Sequence, residues 1–454
     1  MSRPSRDGLA WEDGGFELEP RWTREPSVEA IETVYRRQLG IDDGARCDVS
    51  FYAAGAFNKL YLIQSDNGKV LMRVSLPVDP GDKTRGEVAT LHWLRRWTST
   101  PVPHVLGFDD SNDNEIGFEW ILMELMPGVS AYKRWRRMSM AQKTALVERV
   151  AEYQTQILGC RPQQDVFRSI GTLHIDTVTE NERQEEQQES KFHVTPGKMV
   201  SLVFFWGDHY EYDVPRGPFR SSHDWLSSFL NIVILDYTNA SKEADDEEDR
   251  EDAEEAVEVA MKLLALLPKI FPVIQHPPEQ TFLRHDDLSL QNILVDDDGK
   301  ITAILDWECV STMPSWTATL MPKFLSGARR EEEPDRDRYG DESTCEDDAL
   351  SSGGRSTGGD EDEDDLDNEG KNELYWIHLM EFEQTQLRKV YTARMQQSRP
   401  DWAMEVENSI LKTDFLEAVH RCRSGFYLKR ISQWVDGIAR GDFRRLAETL
   451  QTGR

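Results

Sequence analysis

A polar loop between two short apolar runs constrains this chain more than any other feature. The loop reads His-Asp-Asp-Leu-Ser-Leu-Gln-Asn over residues 285–292, with Thr281–Leu283 before it and Ile293–Val295 after it. A turn at Asp297-Asp298-Gly299 and a second apolar run then lead to Asp306. The apolar runs predict short strands that anchor the loop on both sides.

The polar residue types in this stretch match the needs of phosphoryl transfer from a nucleotide. That reaction needs a carboxylate to orient the attacking hydroxyl, and an amide oxygen and a second carboxylate to hold Mg²⁺. Asp287, Asn292 and Asp306 supply these groups, and Mg²⁺ prefers such hard oxygen ligands. His285 would brace the loop rather than react. The alternative interpretation is that these side chains only cap backbone groups in ordinary turns.

The pattern H-x-D-x-x-x-x-N followed by I-x-D resembles the catalytic and metal loops of protein-kinase-like enzymes. Its form is most similar to the aminoglycoside phosphotransferase and choline kinase-like family, in a fungal-type member. The resemblance implies that ATP is the phosphoryl donor, that Asp287 is catalytic, and that Asn292 and Asp306 bind magnesium. Trp307-Glu308 replaces the Phe-Gly of protein kinases, which favours a hydroxyl-bearing small molecule as acceptor. The resemblance does not identify that molecule.

A strand-rich segment before the loop predicts the lobe that would hold the nucleotide. Asn67-Gly68 separates two apolar runs and predicts a hairpin turn. Arg73, on the second strand, stands where the family places a phosphate-binding Lys, and Glu87, on the next helix, matches its partner. Both could instead be solvated surface residues. Because Arg is not a neutral replacement for Lys, the alternative function is a pseudokinase or nucleotide-binding interaction module without turnover.

Two further stretches are candidate nucleotide contacts. Gly55, in Ala-Ala-Gly-Ala-Phe-Asn-Lys, could let backbone N–H groups approach phosphate, although an ordinary hairpin turn explains it as well. Met123–Met126 matches the linker against which adenine lies in kinase-like folds, and the alternative is the end of an apolar strand. The segment Gly217–Trp225 could line the acceptor pocket, or it could simply pack a helix entry.

The order of strands and helices predicts an α+β protein with a bilobal, protein-kinase-like fold and a cleft between the lobes. A small antiparallel-sheet lobe precedes a large, mainly helical lobe with disordered acidic insertions. The predicted divisions are an N-terminal flank with a helix (residues 1–45), the small nucleotide-binding lobe (46–126), a helical lobe with the catalytic and metal loops (127–327), a disordered acidic insertion (328–372) and the C-terminal helices (373–454).

The formal net charge of −30 is concentrated in two tracts. Residues 241–256 carry −8 and residues 328–372 carry −12. Nucleic acid is therefore not expected as a partner, because phosphate binding needs clustered Lys and Arg. Nothing in the two tracts selects a protein partner. Five scattered cysteines, a polar N-terminus and the lack of a long apolar run predict an intracellular, cytoplasmic protein that does not bind membranes.

Overall fold

The computed structural model describes residues 4–15, 18–42, 44–159, 167–175, 193–273, 278–340 and 370–451. The strands within these ranges are β1 Leu9–Asp13, β2 Leu18–Trp22, β3 Cys47–Ala54, β4 Asn58–Ser65, β5 Gly68–Ser75, β6 Val105–Asp109, β7 Glu119–Glu124, β8 Val129–Ser130, β9 Gly171–Ile175, β10 Val194–Pro196, β11 Thr281–Arg284, β12 Ile293–Val295, β13 Ile301–Ile304 and β14 Ser311–Pro314. The α-helices are α1 Val28–Leu39, α2 Asp82–Trp97, α3 Ala131–Trp135, α4 Met140–Ile157, α5 Leu202–Phe205, α6 Ser222–Glu243, α7 Glu247–Ile270, α8 Glu373–Ser398, α9 Trp402–Arg421, α10 Leu428–Ala439 and α11 Leu446–Gln451.

The small lobe is a five-stranded antiparallel sheet in the order β3-β4-β5-β7-β6. The β4–β5 hairpin turns where Asn67-Gly68 predicts it, with Ser65 opposite Gly68, and Gly68 has a positive φ of 113°. Alternate side chains of the strands pack against the apolar stripe of α1, which buries Ile31 and Val34. The other side of the sheet packs with α2 into the core that continues into the large lobe.

The large lobe is mainly helical, and the expected bilobal α+β architecture is confirmed. Helices α6 and α7 form one pair, and α4 packs against α8. The α4–α8 contact contains a buried ion pair, in which Lys143 Nζ lies 2.6 Å from Glu383 Oε1 and Trp135 Nε1 donates to Glu383 Oε2. Short antiparallel strand pairs, β11–β14 and β12–β13, carry the polar loop on the cleft side. Across the described ranges, no helix combines the length and apolarity needed to cross a membrane.

An N-terminal hairpin, β1–β2, was not predicted from the sequence. Its strands lack a clear alternation of apolar and polar residues, and contacts with both lobes hold it in place. Trp11 packs on Trp206 of the large lobe with ring centroids 4.8 Å apart, and Trp22 packs on Phe118 of the small lobe. Arg6 Nη2 also donates to the carbonyl of Phe205 at 2.8 Å. Tertiary packing therefore stabilises this hairpin where local pattern does not.

The acidic tract at 241–256 differs from the expected disordered insertion, because it is helical. It ends α6 and forms the first turns of α7. The Asp246 side chain caps α7 by accepting from the backbone N–H of Asp249 at 2.8 Å. Glu247 and Glu248 follow in the first turn, where carboxylates interact favourably with the helix dipole. Because they lie at a helix N-terminus, these negative charges stabilise α7.

The second acidic tract is only partly described. Residues 328–340 contact α8, where Arg330 N donates to Thr385 Oγ1 at 3.0 Å and Lys389 Nζ lies 3.0 Å from Glu331 Oε2. Residues 341–369 lie outside the described residues, so the predicted disorder of this insertion stays a prediction there.

A buried carboxyl joins the sheet to α2. The helix starts after Gly81, which has no side chain for capping, and Glu119 of β7 accepts from the Gly81 N–H at 2.7 Å. Burial raises the pKa of Glu119 to about 7 from its ordinary value of 4.5. An acid whose folded-state pKa is raised loses its stabilising contribution as the pH rises from about 4.5 through about 7.

We therefore expect the Glu119→Gln variant to be more stable than the wild type at pH 8 but not at pH 4, because glutamine removes the buried negative charge. The difference in Tm should change by roughly 5 °C across this range. Thermal unfolding followed by circular dichroism measures it. Glu124→Gln, on the same strand but half-exposed, is the control and should show the same Tm difference at both pH values. An equal shift for Glu119→Gln at both values would contradict this assignment.

Candidate active site

His285 holds the polar loop in place. Its Nε2 donates to the carbonyl of Leu305 at 2.9 Å, and its ring packs against Trp307 with centroids 4.7 Å apart. Burial lowers the pKa of His285, which keeps the ring neutral at physiological pH. These contacts tie the loop to the segment after β13, in agreement with the predicted bracing role.

The loop also holds Asn292 beside the backbone of Asp287. Asn292 Nδ2 donates to the carbonyl of Asp287 at 2.9 Å, and Leu305 N donates to the Asn292 carbonyl at 2.8 Å. This use of Nδ2 leaves the amide oxygen of Asn292 able to accept or to bind a cation. Lys323 Nζ lies 2.5 Å from Oδ1 of the Asp287 carboxylate.

Asp306 adopts a left-handed backbone conformation, with φ of 62°. Such a conformation is strained for a residue other than glycine and often occurs at functional sites. Burial, together with the nearby charge of Glu308, raises the pKa of Asp306. Among the described residues, no side chain or backbone group donates a hydrogen bond to its carboxylate. The site therefore contains a partly buried carboxylate that a cation would stabilise.

Arg73 and Glu87 form the buried ion pair that the sequence predicted, from β5 to α2. The same guanidinium also contacts Glu308, which the sequence analysis did not identify. Burial would raise the pKa of Glu308, but the charges of Lys83 and Arg73 hold it at about 2. Burial raises the pKa of Glu87 to about 7, so Glu308 is the more firmly ionised of the two carboxylates.

Lys83 and Asn58 complete this buried network. Lys83 Nζ lies 2.6 Å from Glu308 Oε2, and Asn58 Nδ2 donates to the same oxygen at 2.9 Å. Lys83 precedes Glu87 by four residues, so both lie on one face of α2, and this spacing was the signal that could have identified Lys83. Glu308 follows Asp306 by two residues, but nothing in that spacing indicates a contact with another lobe.

All eight predicted site residues line one cavity of about 770 Å³ between the lobes. This volume is within the range of small-molecule sites. The members contributed by the small lobe and by the large lobe are Gly55, Arg73, Glu87, Met123, Met126, Asp287, Asn292 and Asp306. The structure therefore brings together every candidate, while their individual roles stay proposals.

Gly55 lines the cavity, but this position fits both a phosphate contact and an ordinary hairpin turn. Its N–H donates to the carbonyl of Asn58 at 2.8 Å, as in an ordinary hairpin turn, and the turn also lines the cavity. A Cβ at this position would meet no atom within 4 Å. The glycine is therefore not required for packing in this structure.

Comparison with known proteins gives a family match over the same part of the chain. The model of the phosphotransferase enzyme family matches residues 48–316. A subtelomeric hrmA-associated cluster protein of Aspergillus fumigatus is 26% identical over 320 residues, which cover 61% of this chain and 60% of that protein. The chain thus matches about three fifths of this relative's length. The fungal source agrees with the expected fungal-type membership.

Two other similarities are weaker. Altered inheritance of mitochondria protein 9 of Meyerozyma guilliermondii is 25% identical over 135 residues, covering 28% of this chain and 21% of that protein. The crystal structure of aminoglycoside phosphotransferase APH(4)-Ia has a TM-score of 0.43 at 14% identity, covering 94% of this chain and 100% of that one.

The Glu308 network gives a stability prediction. Glu308→Gln should lower the free energy of unfolding by about 3 kcal/mol, because it leaves buried Arg73 and Lys83 short of one compensating charge. Urea unfolding measures the loss. Glu25→Gln removes the partner of Lys59 at an exposed position and should have almost no effect. Equal stability of the Glu308→Gln variant and the wild type would show that the network is not needed for folding.

Proposed function

Because this chain belongs to the phosphotransferase enzyme family, we propose that it transfers the γ-phosphoryl group of ATP to a hydroxyl of a small molecule. The observation that carries the proposal is the convergence of Asp287, Asn292 and Asp306 with Arg73 and Glu87 on one cavity between the lobes. The cavity holds both the acidic side chains that the reaction needs and an apolar surface suited to a nucleotide base.

The residues present fit a magnesium ion. Asp306 offers a partly buried carboxylate with a raised pKa, and Asn292 offers an amide oxygen that no described group occupies. Both are hard oxygen donors. When bound there, Mg²⁺ would neutralise charge on the phosphate oxygens.

Asp287 is the proposed catalytic residue. Its carboxylate would accept a hydrogen bond from the acceptor hydroxyl and orient the oxygen towards the γ-phosphorus. The new oxygen–phosphorus bond forms as the bond from the γ-phosphorus to the bridging oxygen of ADP breaks, and the hydroxyl proton passes to Asp287. Met123–Met126 would contact the adenine, and the turn at Gly55 would cover the phosphates.

Nucleotide binding without turnover is the second candidate function. Both terminal nitrogens of Arg73 contact carboxylates, one from Glu87 and one from Glu308. A phosphate would have to share or displace these contacts. Arg73 would then maintain the shape of the cleft and contribute little to phosphate binding.

Substitution of the two acidic residues tests the first candidate. Asp287→Asn and Asp306→Asn should each lower phosphorylation by at least roughly 100-fold, because the first removes the proton acceptor and the second a metal ligand. The assay supplies Mg²⁺, labelled ATP and a small-molecule metabolite extract, and follows labelled product.

Asp297→Asn is the matched control, since Asp297 lies in the adjacent β12–β13 turn with its side chain 90% exposed. It should leave product formation and Tm unchanged. Labelled product at equal rates in the wild type and both site variants would contradict the role of these residues. If calorimetry detects binding of Mg-ATP by the wild type, but no product forms, the second candidate is supported instead.

A further inference from the structure

A second cavity of about 770 Å³, here called the acceptor chamber, meets the cleft at Asp287. Asp306 and Glu308 line both spaces, and the remaining walls of the chamber come from the large lobe. A molecule in the chamber can thus reach the proposed catalytic carboxylate without entering the nucleotide part of the cleft. The chemistry of the chamber walls therefore indicates which acceptor would fit.

The chamber has an apolar, aromatic wall. Trp225 and Phe229 stand one helical turn apart on α6, and Phe204 of α5 and Leu416 of α9 lie on the same lining. All four are at most 7% exposed, so the packing of the large lobe fixes their positions. Leu202, which is 49% exposed, extends this wall to the border with the cleft. Such a surface favours a flat or bulky apolar group.

The charged groups of the chamber already have partners in the protein. Arg284 Nε lies 2.9 Å from Asp286 Oδ1, and Lys323 lies against Asp287. Glu417 accepts from Arg421, one turn along α9. Among the described lining residues, the remaining cation is Arg388, which donates to backbone carbonyls, including that of Leu325 at 2.6 Å. Apart from the three carboxylates shared with the cleft, two acids and three bases line the chamber, and each of these five has a partner in the protein.

Two hydrogen bonds fix the segment that carries Lys323. Phe324 N donates to the carbonyl of Leu288 in the catalytic loop at 3.0 Å, and Gln384 of α8 donates to the carbonyl of Phe324 at 2.9 Å. The backbone next to Lys323 is therefore held against the catalytic loop. Burial also lowers the pKa of His420 on the same lining, which leaves that ring without charge.

From the apolar wall and the paired charges, we infer that the acceptor chamber binds a neutral alcohol with an apolar body, such as an aromatic or alicyclic ring system. The inference rests on the proposed function in taking this alcohol as the phosphoryl acceptor. Among the carboxylates of the described lining, Asp306 is assigned to magnesium by the proposed function, and a polyamine would find the other four already paired. An anion would meet cations that already pair with acids or carbonyls. When a ligand covers the apolar wall, the removal of apolar surface from water lowers the free energy, whereas covering the paired charges does not.

Calorimetry on the full chain, without ATP or metal, tests the inference separately from phosphoryl transfer. Phenethyl alcohol, naphthaleneethanol and farnesol represent neutral alcohols with an apolar body. Kanamycin, myo-inositol and glycerol phosphate represent polycations, polar neutral alcohols and anions. We expect the best apolar alcohol to bind at least about tenfold more tightly than any of the other three. Tighter binding of any probe from the second group, or no binding of the first group at millimolar concentration, would overturn the inference.

A charged substitution then locates the binding. Leu202→Asp places a carboxylate on the exposed part of the chamber wall and should weaken binding of the best apolar alcohol by about tenfold. Leu235→Asp is the matched control, because Leu235 is 37% exposed on α6 and does not line the chamber. Unchanged affinity of the Leu202→Asp variant would place the alcohol elsewhere and overturn the inference. Loss of phosphorylation in the Asp287→Asn variant leaves this binding result unaffected, so the two proposals can fail independently.

Discussion

The carboxylate of Glu308 is the contact on which the geometry of the cleft depends. It receives Arg73 from β5, Lys83 from α2 and Asn58 from β4, so three elements of the small lobe meet one side chain of the large lobe. Buried cations need a compensating anion, because each would otherwise lose its hydration with no favourable interaction to offset that loss. The network therefore draws the small lobe onto the segment after β13. Since Asp306 lies two residues before Glu308, the contacts of Glu308 also fix the position of Asp306 on the cavity wall.

A second set of contacts fixes Asp287 from the large lobe. His285 ties one end of its loop to Leu305, while the Phe324 N–H ties the middle of the loop to the segment that carries Lys323. Asp287 consequently stands where the inter-lobe cavity and the acceptor chamber meet. This arrangement separates two tasks, since the Arg73–Glu87 pair lies on the cleft and the rings of Phe204, Trp225 and Phe229 lie on one wall of the chamber. A phosphotransferase needs both surfaces to converge on one reacting oxygen.

The sequence predicted much of this structure wherever contacts are local. The loop at 285–292, the turn at Asn67-Gly68 and the strands around them follow from residue type and spacing over a few positions. The Arg73–Glu87 pair was also predicted, through resemblance to a family, and it is present. The hairpin β1–β2 and the helical form of the acidic tract at 241–256 were missed. Packing against Trp206 holds the hairpin, and a cap at Asp246 starts α7, whereas overall acidity suggested only solvation.

By itself, the sequence determined the identity of the chemical groups: a carboxylate and an amide in a strand-bounded loop, a second carboxylate after the following strands, and a cation on an earlier strand. Residue type and short spacing define these groups, and both can be determined from the sequence without knowing which distant residues lie nearby. Only the tertiary structure decided which groups meet. Glu308 pairs with Arg73, which is 235 residues away along the chain. Lys323, which follows β14, pairs with Asp287 in the loop after β11. Sequence spacing carries no information on such contacts, because burial and charge compensation select partners only when the two lobes pack together.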